Sequence, residues 1–427
     1  MNMQGAPAYP LDRNSFREAV ELGLGRAYVH VSRFGAHDVR DEILEAATTC
    51  KVYDAQSEGL SADWLADLCM AADLVPEIVR RPPTGDYWDR ELRSALLKEF
   101  ASRGYPDARV ALYASCVQSE HYMDFHGCRE IIELDGEAGL LFVARTQGMH
   151  ATDHPEFWIG EGEIACFDEV HGDGAGLAVL RGHAPRDPGI AAYVRRLEQT
   201  ITREGAGPPV RTHSVEEIAE SIAKDDRVRI GLRFAGRRAT TEELRPILGL
   251  LDASAAPQVL ENSLRYLSGA DAPPTHPIMF SLLRHAEAGV RHHAAETLAH
   301  HVDARIREEG LAMLGADADL GLTLLRRSAR AEDAAAILAA LQPSADADAN
   351  HAIARDVVEL LERNLFVREP RLALFVYAHS PCKVCRGEAV MWLLQRNACP
   401  DWLRDEARHD ALQQTREACS GRLPSAP

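Results

Sequence analysis

Apolar residues that recur at intervals of three and four constrain the fold of this chain more than any other feature. The spacing is visible at Phe16, Val20 and Leu24, at Leu92, Leu96, Leu97 and Phe100, and at Leu311 and Leu314. Such spacing places apolar side chains on one face of an α-helix. Patterns compatible with a strand occur at 109–113, 141–144 and 372–377, and each also fits a buried helix. We therefore predict an all-α protein built from short helices.

Local sequence signals predict where several helices begin. Pairs typical of capping boxes are Ser214 with Glu217, Thr240 with Glu243 and, in a weaker form, Asp86 with Asp89. Prolines suited to a first helical turn are Pro277, Pro381 and Pro400. Because these signals recur at short intervals, brief polar turns are expected between the helices.

A weak internal repeat places an arginine after a small apolar residue early in a helix. It occurs as Val39-Arg40, Val228-Arg229, Val290-Arg291, Ile306-Arg307 and Cys385-Arg386. After three of these arginines a small residue and a leucine follow, as in Arg386, Ala389 and Leu393. We expect the arginine to bridge to an acidic group in the adjoining repeat while the leucine fills a shared core.

This pattern resembles the HEAT-repeat family of α-solenoids, most of all a group of bacterial HEAT-repeat proteins of unassigned activity. The segments that carry the resemblance are residues 53–59 (YDAQSEG), 86–89 (DYWD) and 380–386 (SPCKVCR). The resemblance implies a superhelical solenoid of stacked antiparallel helix pairs. It also implies a protein- or nucleic-acid-binding scaffold, since HEAT-type repeats commonly have that role.

The domain organisation follows from two helical halves and the composition between them. We predict a disordered or extended segment over 1–13, a HEAT-like half over 14–205, a linker over 206–213 and a second HEAT-like half over 214–427. The glycine- and proline-containing stretch 204–210 (EGAGPPV) marks the joint between the halves.

Charge and cysteine content narrow the compartment and the partners. The formal net charge is -18, which disfavours a nucleic-acid partner because phosphate binding depends on basic charge. No apolar run long enough for a secretory signal or a membrane span is present. Nine cysteines without framework spacing indicate a reducing, cytoplasmic environment, and we expect no membrane partner. A Walker A loop, an HExxH helix and a G-x-S-x-G elbow are all absent from the sequence.

The sharpest chemical motif is Cys382-x-x-Cys385. With Ser380 as N-cap and Pro381 as the first helical residue, Cys382 would lie in a first turn, where the helix dipole favours a thiolate. Three interpretations stay open: half of a zinc site completed by His379, Cys399 or His409, a redox pair, or two thiols that only pack. A second candidate metal set is His121, Asp124 and His126. No cofactor is predicted as the default, with zinc as the alternative.

Two groups of residues are candidates for partner binding. The basic stretch Arg227, Arg229, Arg233, Arg237 and Arg238 could line a groove for phosphate or an acidic peptide, or form a solvated helix face. Aromatic and acidic residues that could form a cleft like that of HEAT-like DNA glycosylases are Trp64, Asp86, Tyr87 and Trp88, although core and capping roles also fit them.

The function predicted from the sequence is a non-enzymatic binding scaffold whose concave solenoid face recognises a protein or peptide. One alternative is a nucleic-acid-directed protein similar to HEAT-like DNA glycosylases. The other is a metal- or thiol-dependent accessory protein of another enzyme, which would depend on Cys382 and Cys385.

Overall fold

The computed structural model describes residues 6–117, 125–205, 214–224, 231–237 and 239–421, and the regular secondary structure of these ranges is entirely helical. The α-helices are α1 Arg13–Leu22, α2 Gly25–Phe34, α3 Arg40–Thr48, α4 Ala55–Glu58, α5 Ala62–Ala71, α6 Val75–Arg80, α7 Tyr87–Ser102, α8 Pro106–Val117, α9 Cys128–Asp135, α10 Glu137–Asp153, α11 Gly162–His171, α12 Ala175–His183, α13 Pro188–Gly205, α14 Val215–Ala223, α15 Leu232–Arg237, α16 Arg245–Leu248, α17 Pro257–Leu267, α18 Ile278–Leu282, α19 Ala288–Leu298, α20 Ala304–Met313, α21 Ala318–Leu325, α22 Ala334–Ala340, α23 Ala347–Arg363, α24 Pro370–His379, α25 Lys383–Gln395, α26 Asp401–Ala407 and α27 Gln413–Cys419. Short 3-10 helices occupy His37–Val39, Ala184–Arg186 and Ala331–Asp333.

The all-α prediction is confirmed for the described ranges, which contain no strand. The three segments that were compatible with a strand lie inside α8, α10 and α24, where buried leucines and valines produced the ambiguity. No helix within the described part of the chain is long and apolar enough to cross a membrane.

The described residues fall into two compact units. One, here called the terminal unit, combines residues of 6–210 with residues of 402–427. The other, here called the inner unit, lies within residues 211–401. The linker predicted over 206–213 falls outside the described residues, and residues 6–12 of the predicted N-terminal segment precede α1.

The terminal unit is closed by helices from both ends of the described chain. Arg26 on α2 donates from Nε to Glu406 Oε1 at 2.7 Å, and both side chains are buried. The indole of Trp64 donates to the carbonyl oxygen of His409 at 2.7 Å. At Gly25 an added Cβ would lie only 1.9 Å from the carbonyl oxygen of Glu406, so a glycine is required for this approach.

Two of the three predicted capping boxes form at helix starts. Asp86 and Asp89 exchange side-chain and backbone bonds at the start of α7, and Ser214 and Glu217 do so at α14. Thr240 and Glu243 also bond reciprocally, yet residues 241–244 form a turn and α16 begins only at Arg245.

Among the repeated arginines that the structure describes, Arg291, Arg307 and Arg386 occupy the fourth position of their helices, whereas Arg40 is the first residue of α3. Nη1 of three arginines donates to the carbonyls of the residues six and five positions earlier: Arg291 to His285 and Ala286, Arg386 to Ser380 and Pro381, and Arg416 to Asp410 and Ala411. Arg307 instead pairs with the carboxylate of Asp333. The expected acidic bridge therefore forms at Arg307 and at Arg40, which pairs with Glu77 at 3.0 Å. Arg291 and Arg386 instead satisfy carbonyls of the turn before their own helix.

A buried ionic network joins successive helices of the inner unit. Arg326, just after α21, donates to Glu296 of α19 at 2.7 Å and to Asp356 of α23 at 2.6 Å. Burial alone would raise the pKa of Glu296, but Arg326 holds that pKa below its usual value. The network fixes the register of three helices around an apolar core that includes Leu264 and Leu298.

Candidate functional site

A pocket of about 710 Å³ opens in the terminal unit where α7, α9, α10 and α11 meet. Its lining comprises Tyr87, Glu91, Phe125, Gly127, Cys128, Arg129, Glu130, Gln147, Phe157, Trp158, Gly160, Gly162 and Glu163. The volume lies within the range of small-molecule and side-chain binding pockets, about 300–1,000 Å³. The pocket combines aromatic rings with carboxylates, and this combination determines which ligands fit.

Three carboxylates from three different helices face the pocket. Glu91 on α7 has its Oε1 2.6 Å from Nδ1 of His126, a histidine that precedes α9. Glu163 on α11 accepts a hydrogen bond at 3.0 Å from the side-chain amide of Gln147 on α10. Glu130 on α9 is the third. Arg129, a cation in the pocket lining, donates from Nε to Glu133 Oε1 at 2.7 Å, so its positive charge is already paired with a carboxylate.

Glu130 has the most perturbed carboxyl group of the pocket. Burial, followed by the neighbouring carboxylates of Glu91 and Glu133, raises its pKa to about 7, although Lys98 acts in the opposite direction. At neutral pH this carboxyl is therefore close to half protonated. A cation bound beside it would favour the charged form.

Aromatic rings form the remaining wall and the rim. Phe125 and Phe157 meet edge to face with their centroids 5.3 Å apart, and Phe157 is buried. Tyr87 and Trp158, at the rim, keep 53% and 62% of their surface exposed. Large exposed aromatic residues beside a concave site are typical of binding surfaces.

Two thiols lie beneath the pocket. The Sγ atoms of Cys116 and Cys128 are 3.5 Å apart, and the amide of Gln147 contacts the Cys128 sulfur at 3.4 Å. The hydrogen bond with Cys116, together with burial, raises the pKa of Cys128 well above its ordinary value. A thiol held protonated in this way is a poor nucleophile, so the arrangement favours binding over covalent chemistry.

Of the four residues predicted to form an aromatic and acidic cleft, Tyr87 and Trp88 lie at the pocket and Asp86 and Trp64 have structural roles. Tyr87 lines the pocket, and Trp88 packs against it edge to face at 5.1 Å. Asp86 caps α7 through the backbone of Asp89. Trp64 is buried in the core of the same unit, where its indole bonds to the His409 carbonyl.

The other predicted residues are distributed as follows. His126 pairs with Glu91 beside the pocket, while His121 and Asp124 lie outside the described residues. In the basic stretch, Arg233 pairs with Glu296 at 3.1 Å and Arg237 lies over the ring of Phe234 at 5.5 Å. Arg227, Arg229 and Arg238 fall outside the described residues.

Cys382 and Cys385 lie together with a histidine that the sequence analysis did not select. Ser380 is the C-cap of α24 and Cys382 is the N-cap of α25. Helix α25 therefore begins two residues later than the sequence predicts, and Cys382 precedes its first turn. Within the described part of the chain, one group of three or more potential metal ligands stands out: His351, Cys382 and Cys385, whose ligand atoms lie within 4.8 Å of one another. The residues predicted as further ligands are not members of this group. His379 packs on Phe375, Cys399 contacts the carbonyl of Pro400, and His409 stacks on Tyr28.

Sequence reasoning missed the residues that give both places their chemistry. The pocket acids Glu91, Glu130 and Glu163 come from three helices, and His351 lies 31 residues before Cys382. Neither set has a spacing signal, because only tertiary packing brings them together. No protein-family model, curated protein or solved structure matches this chain.

Proposed function

We propose that this protein is a non-enzymatic binding module whose pocket in the terminal unit receives a cationic side chain of a protein or peptide partner. The proposal depends on one observation: three carboxylates and three aromatic rings line the same cavity. The carboxylates belong to Glu91, Glu130 and Glu163, and the rings belong to Tyr87, Phe157 and Trp158. Carboxylates and aromatic faces both attract ammonium and guanidinium groups.

A polypeptide is preferred over a small amine because the site extends beyond the cavity. Tyr87 and Trp158 present large exposed surfaces at the rim, which a free amine inside the pocket would leave uncovered. A side chain inserted into a pocket, with its backbone lying across rim aromatics, is the usual arrangement of an interface hot spot. The net charge of -18 also favours a basic partner.

The solenoid arrangement of antiparallel helix pairs remains part of this proposal, as does its relation to HEAT repeats. It is supported by the all-helical fold and by arginines at the fourth position of α19, α25 and α27 that make the same pair of carbonyl bonds. The binding surface proposed here is the pocket, which has a defined geometry, in place of an unspecified concave face.

The nucleic-acid alternative has weaker support. Of its five arginines, the two described ones are engaged by Glu296 and by the ring of Phe234. Trp64, which a glycosylase-like cleft would need at its surface, is buried. The metal- or thiol-dependent alternative is supported by one specific observation. The ligand atoms of His351, Cys382 and Cys385 lie within 4.8 Å of one another.

The first test is a calorimetric titration of the protein with the blocked tripeptide Ac-Ala-Arg-Ala-NH2. The matched control ligand replaces arginine by citrulline, which has nearly the same shape and no charge. We expect Trp158→Ala to weaken binding at least about fivefold, because a cation–π contact contributes about 1 kcal/mol or more. Glu163→Gln should have an effect of similar size.

The control protein for this titration is Phe366→Ala, which removes an aromatic residue that is 80% exposed in the inner unit. It should bind the arginine peptide as the unmodified protein does. Equal affinity for the arginine and citrulline peptides, or no loss in both pocket variants, would reject a cation-binding pocket.

A further inference from the structure

The inner unit holds a second site, formed by one histidine and two cysteines from different helices. Cys382 is the N-cap of α25, Cys385 lies in the first turn of the same helix, and His351 lies in the second turn of α23. Helix α23 packs against both α24 and α25, and this packing brings the histidine to the two thiols. His351 and Cys382 are 31 residues apart in the sequence, so tertiary packing brings them together.

The distances suit a single metal ion. The three ligand atoms lie within 4.8 Å of one another. Tetrahedral zinc, with Zn–S bonds of about 2.3 Å and Zn–N bonds of about 2.0 Å, requires ligand atoms about 3.5–3.8 Å apart. Side-chain rotations that close the spacing by about 1 Å are therefore sufficient, and no movement of the backbone is needed.

The local environment favours thiolate ligands held in place. Both cysteine side chains are buried, and the positive end of the 13-residue helix α25 lies at their backbone. Arg386 donates to the carbonyls of Ser380 and Pro381 at 2.8 and 2.9 Å, and these bonds stabilise the turn that contains Cys382. The hydroxyl of Ser380 also accepts from the backbone N–H of Cys382 at 3.2 Å. A ligand turn fixed in this way limits the entropy lost when a metal binds.

We propose that His351, Cys382 and Cys385 bind one Zn²⁺ per chain. Two thiolates and an imidazole are ligands that zinc prefers, whereas Ca²⁺ and Mg²⁺ require oxygen ligands. Binding displaces a proton from each thiol, and the two thiolates balance the charge of the ion. Three protein ligands leave the fourth tetrahedral position to water or to an exogenous ligand, which is the coordination of reactive zinc sites.

Metal content measures the proposal directly. The full chain, reduced and dialysed against Zn²⁺ and then against metal-free buffer, should retain one zinc per chain by elemental analysis. His351→Ala, Cys382→Ser and Cys385→Ser should each lower zinc affinity at least about tenfold, as the loss of one ligand predicts. The matched control is Cys399→Ser, which alters another buried cysteine of the inner unit and should keep its zinc.

Cobalt substitution supplies a readout of the ligands themselves. The Co²⁺ protein should show thiolate-to-cobalt charge-transfer absorption that disappears in Cys382→Ser and persists in Cys399→Ser. Added 2-mercaptoethanol should shift the visible bands, because a fourth position is open. His351→Ala changes a half-buried side chain, so it keeps the test informative if a cysteine variant does not fold.

Two results would overturn the proposal. One is a reduced chain that retains no zinc after dialysis although its far-ultraviolet circular dichroism is that of a folded helical protein. The other is stoichiometric zinc in folded Cys382→Ser and Cys385→Ser variants. Unchanged cobalt bands in 2-mercaptoethanol would overturn the open fourth position.

Discussion

At the scale of single residues, Glu130 is the group whose ionisation responds most directly to its surroundings. Glu91, Glu133 and Lys98 lie near its carboxyl, and burial with the two neighbouring carboxylates raises its pKa to about 7. The unfolded chain binds this proton with a pKa near 4.5. Between these two values the folded state holds more protons than the unfolded state, so this group contributes stability that falls as pH rises.

Glu130→Gln is therefore expected to stabilise the protein at pH 8 and to have little effect at pH 4. The gain should be on the order of 2 kcal/mol, less than the full pKa shift implies, because the side chain is only half-buried and solvent screens its charge. Urea unfolding of both proteins at several pH values measures the difference. Glu137→Gln, at an exposed position of α10, is the control and should show no such dependence. A stability difference for Glu130→Gln that does not change with pH would contradict the assignment.

An interaction could be predicted from the sequence when its partners are close together in the chain. The capping box of Ser214 and Glu217 joins residues three positions apart, and it forms as predicted. The fourth-position arginines were recognised from their spacing, but their partners were not, because a guanidinium satisfies a nearby carbonyl as readily as a distant carboxylate. The pocket glutamates and His351 could not be found, since their proximity is created by packing between helices.

At the scale of elements, three helices whose N-cap side chains make no capping bond have an arginine at their fourth position. Glu287, Cys382 and Leu412 make no side-chain cap bond at the starts of α19, α25 and α27. In each case the arginine side chain closes the preceding turn by binding two of its carbonyls. The turn and the helix are thereby held as one element, which explains why this arginine recurs.

Arg386→Met should destabilise the protein by about 2–4 kcal/mol, because two carbonyls of a buried turn lose a charged donor. Arg371→Met, in α24, removes an exposed arginine that pairs with Glu369, and it should change the free energy of unfolding far less than Arg386→Met does. Denaturant unfolding measures both free energies. Equal effects of the two substitutions would show that the buried arginine has no special role in the turn.

At the scale of the whole molecule, each compact unit carries its own candidate site. The terminal unit holds an acidic, aromatic pocket lined by residues between 87 and 163. The inner unit holds the histidine and the two cysteines. We therefore place the proposed partner recognition in the terminal unit and the proposed metal binding in the inner unit, and the two proposals can be tested separately.

Hydrogen–deuterium exchange of the full chain, with and without saturating Ac-Ala-Arg-Ala-NH2, tests the central claim most directly. We expect slower exchange in peptides covering 125–130 and 157–163, where the pocket lining is concentrated, and no change in peptides covering 370–395. The citrulline peptide should leave both regions unchanged. Protection centred on 231–237, or equal protection by the two ligands, would contradict a cation-binding pocket in the terminal unit.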